Sequence, residues 1–482
     1  MKPLVSNFIN GQPYPSHSAR LSHIYHPATG DILGEVTLSS AAEAHEAVQY
    51  AREAQPSWAA LSPSQRLQYL ARFKQRLMDE QHELATLISQ EQGKTESEAW
   101  QELEQGLAIL DFSLELNEQL KAEYTAEITA STEHFTLYQA VGICVGITPY
   151  TFPALAPLWM FPIALSCGNC FILKPSEKTP SIALHFARML QDAGLPAGVF
   201  QVIQGDKEVV DALLEDPNVA AVSFIGSTPI AQSVYRKGTK AGKRVQALGS
   251  TKNHMLILPD ADLEQVCDDL MLAAYGEAGQ RCMAIAVAVV VGQHTADQLA
   301  ALLTPRVQSL IIGTHPIQAQ QQMGPLVSEA QLLRVRGYIE QGEKEGARLL
   351  VDGRDVVNQT GYFLGGTLFD DVTPDMRIYK EEILGPVLAI SRVDDYPQGL
   401  ALINGHSLGQ GAAIYTRNPD YARDFAYQVQ AGMVSINSPL AIPMAYQSIG
   451  GWKSSLFGAL NLHGQDGIRF YTRIKNVTSR WP

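Results

Sequence analysis

From Val141 onward the chain alternates short apolar runs with helical stretches, and this rhythm constrains the fold more than any other feature. The runs "VGICVGIT", "CFILK", "FQVIQ", "AAVSFIG" and "HMLILP" are short and apolar at nearly every position. Strands buried on both faces have that character. Helical patterns lie between most of them, which predicts βαβ units on a parallel sheet. A second block follows: "AIAVAVVVG", helix, "GYFLGGTLF", "VLAISRV", helix, "GAAIYT", helix, "MVSIN". Two α/β domains in tandem fit this rhythm and a length of 482 residues.

The first 120 residues read as mainly helical. Ser40 and Glu43 form a capping box, followed by Ala44, Val48 and Ala51 on one face. Ser62 caps a second helix, with Pro63 at its first position and Gln65 three after the cap. Its apolar stripe is Leu67, Leu70, Phe73 and Leu77. At the other end, "IRFYTRIKNVTSRW" reads as a strand with no partner in either domain. It is expected to pair outside its own domain, with another subunit as one candidate.

Charge and cysteine usage exclude several classes. A net charge of -13 argues against a nucleic-acid groove, which needs a basic stripe. No charged side chain occurs between Phe135 and Leu173, but Pro149, Pro153, Pro157 and Pro162 interrupt that stretch. A buried strand–helix–strand is expected there rather than a membrane span. The N-terminus has no apolar core of a signal peptide. Five cysteines, an odd number, do not form a disulfide framework and point to a reducing, cytoplasmic setting.

Most catalytic motifs fail on context. No phosphate-binding G-x-x-x-x-G-K-[ST] or G-x-G-x-x-G is present. Gly226, Ser227 and Thr228 stand between a strand and a helix, where backbone N–H groups could hold a pyrophosphate or simply make a tight turn. "GHSLG" matches a nucleophile elbow, but helix precedes it and strand follows, so Ser407 is rejected. Cys167 and Cys170 lack the second ligand pair of a zinc site and read as core, as does Cys267; no metal site is expected. The sequon at Asn476 is inert in an intracellular protein. Cys282, in "YGEAGQRCMA", differs: it follows a glycine-bearing loop with free N–H groups, beside Arg281. That setting lowers a thiol pKa. On chemistry alone, nucleophile and packed thiol both stand.

Taken together, "GITPYTFPALAPLWMFPIALSCGNCFILKPSEKTP", "GLPAGVFQVIQG", "VSFIGSTPIA", "GQRCMA", "EEILGPVL" and "MVSIN" resemble the aldehyde dehydrogenase superfamily over essentially the whole chain. "VQALGSTKNHMLILPDADL" and "FYTRIKNVTSRW" are similar to its coenzyme A-acylating methylmalonate-semialdehyde dehydrogenases. The resemblance implies an α/β fold with three parts. These are a Rossmann-like NAD domain (1–121 and 139–248), a catalytic domain (249–440) and a small β-flap for oligomerisation (122–138 and 460–482). It implies a homodimer or homotetramer.

The resemblance also implies roles. Cys282 would attack the aldehyde, hydride would pass to NAD, and a thioester would remain on the sulfur. The Cys282 N–H would hold part of the oxyanion. Lys174 and Glu177 would hold the adenosine ribose. Thr148, Tyr150, Lys178 and Ser227 would line the rest of the cofactor groove, and Glu382 would bind the nicotinamide ribose. Ala247 stands in place of the glutamate that activates water in hydrolytic members. Without such a base, a thiol acceptor near pKa 8.5 outcompetes water, and coenzyme A is the expected acceptor. Two positions depart from the pattern. Thr151 replaces an asparagine that helps bind the oxyanion, so the enzyme is slow on ordinary aldehydes or another donor fills the gap. Gln105 replaces an arginine that meets a substrate carboxylate, leaving Arg281 as the remaining cation. Malonate or methylmalonate semialdehyde is the expected substrate, with CO₂ lost after the thioester forms. The alternatives are a dehydrogenase releasing the free acid, and a catalytically weak NAD-binding paralogue.

Overall fold

The computed structural model describes residues 3–116, 120, 124–126, 132–313, 323–356, 360–439 and 444–480. The domain boundaries expected at 121, 122, 440 and 482 lie outside these residues. The fold is α/β, built on two large sheets. In the first, five parallel strands run in the order Arg244–Leu248, Val219–Ile225, Ile143–Ile147, Cys170–Lys174, Phe200–Val202. The first strand in sequence is therefore central, and the next four leave it in both directions. This is the doubly wound arrangement, in which ligands sit at the point where strand order reverses. That point lies between the ends of Ile143–Ile147 and Val219–Ile225, where Thr148, Tyr150 and Ser227 follow.

The helices cover this sheet as their patterns require. Ala41–Ala60 and Pro63–Asp79 start with the expected capping boxes, at Ser40 and Ser62. Leu70, Phe73 and Leu77 are fully buried. Phe73 meets Phe161 and Phe186 edge-on, and the Phe161 ring lies tilted against Phe200 at 4.8 Å between ring centres. This aromatic layer fills the space between sheet and helices. Within the uncharged stretch, Ile143–Ile147 and Cys170–Lys174 are buried strands and Leu155–Leu158 and Phe161–Ser166 short buried helices; Pro149 and Pro153 fall between elements, whereas Pro157 and Pro162 lie within the helices. Among the described residues no helix is long and apolar enough to cross a membrane.

The second sheet has seven strands, in the order Arg348–Val351, Thr367–Asp370, Val387–Val393, Ile285–Val291, Asn253–Ile257, Gly411–Tyr415, Met433–Ile436. All pairs are parallel except the first. "GYFLGGTLF" contributes only its last residues to a strand. The N-terminal reading also changes: five short strands precede the first helix. Asn7–Ile9 and Gln12–Tyr14 form a hairpin that extends the first sheet against Phe200–Val202.

The closing run divides. Gly464–Tyr471 is helix, and Thr472–Arg480 is a strand whose partner is Thr132–Ala140 of the same chain, antiparallel over nine residue pairs. Tyr124–Ala126 completes this small sheet. Asn169 fixes its root. The buried amide donates to the carbonyls of Ala164 and Tyr471, both at 2.9 Å, and its oxygen accepts the Gly142 N–H at 2.9 Å. Arg244 adds bonds to the Phe470 and Thr472 carbonyls. Asn169→Leu strands one donor and two acceptors in the interior, a loss of about 3 kcal/mol or more. Its apparent thermal unfolding temperature should drop by several degrees; an unchanged value would show that these bonds do not hold the root.

Candidate active site

The loop carrying Cys282 is bent by its own backbone. Helix Leu263–Leu270 widens into a π-turn, Met271–Tyr275, and then a 3₁₀ turn, Gly276–Gly279. Glu277 and Ala278 both have φ 52°, a left-handed conformation that side chains adopt only when the surroundings impose it. Gly279, at φ 65°, packs so closely that a Cβ there would lie 2.2 Å from the Gly385 oxygen. Beyond the turn, the Asn253 amide donates to the carbonyls of Cys282 (2.8 Å) and Ala284 (3.0 Å). Its oxygen accepts the Gly411 N–H at 3.1 Å. Cys282 is thus tied to the central strands of the second sheet.

A buried ammonium imposes the strained turn. Lys94 Nζ, fully enclosed, donates to Glu102 and Glu277 at 2.7 Å each and to the Thr151 carbonyl at 3.1 Å. Glu102 in turn accepts the N–H groups of Ala154 and Leu155, and Glu98 accepts that of Glu277 at 2.6 Å. Burial pulls the Lys94 pKa down, but the two carboxylates outweigh it and leave it raised.

Cys282 opens into a cavity of about 730 Å³, shared with Tyr150, Thr151, Ser227, Ser250, Arg334 and Glu382. Loops from both sheets therefore meet at one chamber of ligand size. Glu382 accepts the Thr251 N–H at 2.8 Å and the Thr251 hydroxyl at 3.3 Å, and burial raises its pKa. The neighbouring carbonyls of Ile378 and Glu381 receive Lys252 Nζ, itself pushed down to about 7 by burial. Thr148, Lys174, Glu177 and Lys178 are not among the residues that line the chamber. Thr148 N–H donates to the Lys174 carbonyl at 3.1 Å, Lys174 lies 3.6 Å from Glu177, and Lys178 Nζ lies 4.7 Å from the centre of the Tyr150 ring. The helix Thr228–Lys240 has no side-chain cap at its start.

This assembly, with a cysteine loop from one parallel sheet facing the switch point of another, also has a family match. The model for the aldehyde dehydrogenase family matches residues 14–477. The chain belongs to the aldehyde dehydrogenase family. It is similar to the malonate-semialdehyde dehydrogenase of Pseudomonas aeruginosa, 47% identical over 99% of this chain and 96% of that protein. Among solved structures it resembles a Sinorhizobium meliloti protein assigned as a methylmalonate-semialdehyde dehydrogenase, in complex with NAD. Identity is 48%, the TM-score 0.97, and coverage 100% of this chain and 99% of that one. It also resembles the methylmalonate-semialdehyde dehydrogenase of Oceanimonas doudoroffii, at 44% identity and TM-score 0.97, over 100% of this chain and 99% of the other.

Several sequence expectations for this aldehyde dehydrogenase change in the folded chain. Arg281 does not acidify Cys282. Its guanidinium turns back onto the Leu272 carbonyl (2.6 Å) and lies 4.0 Å from Glu277, so adjacency in sequence does not bring its charge to the sulfur. Burial pushes the thiol up to about 12, and the charges of Glu277 and Glu382 push the same way. Neither Arg281 nor Gln105 lines the Cys282 chamber; the Gln105 oxygen is buried with no hydrogen-bond partner among the described residues. Ala247 is enclosed in its strand, paired with Phe224 and Phe457, and the chamber wall after it is Gly249 and Ser250. Cys144, Cys167, Cys170 and Cys267 are buried, as core thiols should be. Ser407 follows helix and precedes strand, as expected, yet it lines the chamber mouth. Lys94, Asn253 and Glu277 were not legible as site residues, because their partners lie far away in sequence.

Only the thiolate reacts with iodoacetamide. With the thiol midpoint at about 12, alkylation of Cys282 in the ligand-free protein should climb steadily from pH 7 to pH 10. The slope should approach tenfold per unit. A plateau near pH 8, followed by peptide mass, would contradict that environment.

Proposed function

We propose that this enzyme oxidises a malonate- or methylmalonate-semialdehyde-type substrate with NAD and passes the acyl group from Cys282 to coenzyme A. The observation that carries this reading is the shared chamber: the thiol of Cys282 faces the loops after the switch point, where a nicotinamide cofactor would lie. The residues present fit NAD. Glu177 follows the second parallel strand, where a carboxylate receives ribose hydroxyls. Lys174 beside it orients that carboxylate, Lys178 and Tyr150 bridge toward the chamber, and Thr148 borders the strand end. The positive end of the helix after Ser227 favours a pyrophosphate, with the Thr228 N–H donating to the Ser250 hydroxyl at 3.2 Å. Glu382, fixed by Thr251, would take the second ribose.

When bound, NAD supplies the acceptor for hydride leaving the carbonyl carbon. The chain's own residues do the rest. The Cys282 sulfur gives its proton to solvent water and adds to the aldehyde carbon, and the Cys282 N–H and the Thr151 hydroxyl are the donors proposed for the resulting oxyanion. After oxidation a thioester remains on Cys282. The coenzyme A thiolate displaces Cys282 from that carbonyl, regenerating the free sulfur. With malonate semialdehyde, the carboxylate stands β to the thioester carbonyl. Its carbon–carbon bond breaks to release CO₂, the electron pair passes into the thioester enolate, and a proton restores the acyl group. Arg281 and Gln105, expected to meet the substrate carboxylate, do not line the chamber, and Arg281 is engaged by the Leu272 carbonyl and Glu277. Exposed Val434 and Ile436 on the edge strand Met433–Ile436 support assembly into a homodimer or homotetramer.

A second reading has one observation in its favour. Glu382 lines the chamber with a pKa raised by burial, so it can serve as a base toward water and yield the free acid. The product decides. With NAD, malonate semialdehyde labelled in its carboxylate and coenzyme A, the expected outcome is acyl-coenzyme A, NADH and labelled CO₂. NADH formation with free acid alone, unaffected by coenzyme A, would overturn the acylating reading. Cys282→Ser should lower NADH production by several orders of magnitude.

A further inference from the structure

Glu382 stands between a four-residue helix, Arg377–Lys380, and the strand Val387–Val393. The backbone between them belongs to neither helix nor sheet. Its carbonyls accept from side chains instead. Arg334 donates to those of Glu382 and Ile383, Gln331 to those of Ile383 and Leu384, and Lys252 to those of Ile378 and Glu381. Leu384 is left-handed, at φ 54°, a conformation that a leucine keeps only when its neighbours impose it. Three side chains therefore set the path of this segment.

Two of the three, Gln331 and Arg334, come from helix Glu329–Lys344 and line the chamber themselves. Lys252 differs. It directly precedes strand Asn253–Ile257, is 3% exposed, and does not line the chamber. Its Nζ donates to the Ile378 carbonyl at 2.6 Å and to that of Glu381 at 2.9 Å. Carbonyls at a helix end lack partners within the helix, so a side chain that meets them fixes how the chain leaves it. Here the chain leaves directly into Glu382. The neighbours of Lys252 act on the same region. Thr251, just before it, bonds the Glu382 carboxylate, and Asn253, just after it, bonds the Cys282 carbonyl. Three consecutive residues thus hold the carboxylate, the backbone that leads into it, and the cysteine loop.

We propose that Lys252 is a positioning residue: by holding the Ile378 and Glu381 carbonyls it sets the place at which Glu382 presents its carboxylate to the second ribose of NAD, without touching the cofactor. Thr251 cannot do this alone. Its two bonds fix one oxygen of the carboxylate and none of the main chain that carries it. The inference rests on Glu382 taking that ribose, but its readout is binding rather than turnover.

ADP has the first ribose and the pyrophosphate but no second ribose; ADP-ribose has both riboses and no nicotinamide. Lys252→Met keeps the apolar stem and removes the donor. In the full-length variant, the dissociation constants of NAD and ADP-ribose, measured by calorimetry, should rise about five- to fiftyfold, while that of ADP stays within about twofold. In a Glu382→Gln background the same substitution should raise the NAD constant by less than about twofold, because the contact it serves is already lost. Lys252→Gln, too short to reach both carbonyls, should give the same split and serves if the methionine variant does not fold. A loss shared equally by ADP, or one of full size in the Glu382→Gln background, reduces Lys252 to a support of the fold and overturns the proposal. Unchanged NAD binding in a folded Lys252 variant, with binding weakened in Glu382→Gln, overturns the proposal alone. Unchanged binding in Glu382→Gln removes the ribose assignment, and the proposal with it.

Discussion

The chamber depends on the Lys94 ammonium. It is one cation, shut away from water, and it faces carboxylates from two different segments and a carbonyl from a third. An isolated charge in that position would be very costly to bury. Paired, it sets the separation between the Thr151 segment and the Cys282 loop, because both are bonded to the same nitrogen or to Glu102 beside it. The left-handed pair Glu277–Ala278 stores about 1–3 kcal/mol per residue of backbone strain. The ion pair to Lys94 and the Glu98 bond to the Glu277 N–H hold that strain in place. Breaking a buried pair of this kind by removing one partner leaves an uncompensated charge, which is why such networks act as fixed points rather than as simple sources of stability.

The same carboxylate that fixes the loop opposes the chemistry. Glu277 lies near enough to Cys282 to disfavour its thiolate, and Glu382 adds to this. A cysteine held as a thiol is protected from oxidants and stray electrophiles. In the proposed reaction it would gain stabilisation from substrate and cofactor. The positive nicotinamide ring, held beside Glu382 as proposed, would change the balance at the sulfur in the favourable direction. The resting thiol and the donors around it are two halves of one electrostatic arrangement.

What the sequence revealed, and what it concealed, follows from the range of the interactions. Capping boxes at Ser40 and Ser62 act over three residues and were legible directly. Buried parallel strands were legible because both faces need apolar side chains. The N-terminal strands were not: Asn7–Ile9 and Gln12–Tyr14 are three residues each and gain their order by pairing with Phe200–Val202, nearly two hundred residues away. "IRFY" reads as strand by composition, yet Ile468, Phe470 and Tyr471 are buried on a helix. At the site, Cys282 stood out through its glycine-bearing loop, but Lys94 reaches Glu277 across 183 positions. Arg281 misled for the converse reason. A residue one place from the sulfur in sequence points wherever its backbone turn sends it, and here that is toward Leu272.

The choice of acyl acceptor turns on how free Glu382 is. To activate water it needs an oxygen lone pair directed into the chamber and an orientation that it can keep while taking a proton. Two bonds from Thr251 hold one of its oxygens. Arg334 donates to the Glu382 and Ile383 carbonyls, and Gln331 to those of Ile383 and Leu384, so the backbone at and after Glu382 is clamped. A carboxylate so fixed is well suited to receiving a pair of ribose hydroxyls. Once it does, its second oxygen is occupied as well. Water then has no base among the acids lining the chamber except Glu381, whose carboxylate is held by Arg377 and Tyr338. A thiol acceptor arrives with a pKa several units below that of water and needs far less help. In the proposed reaction, cofactor binding and acceptor selection would therefore be linked through a single side chain.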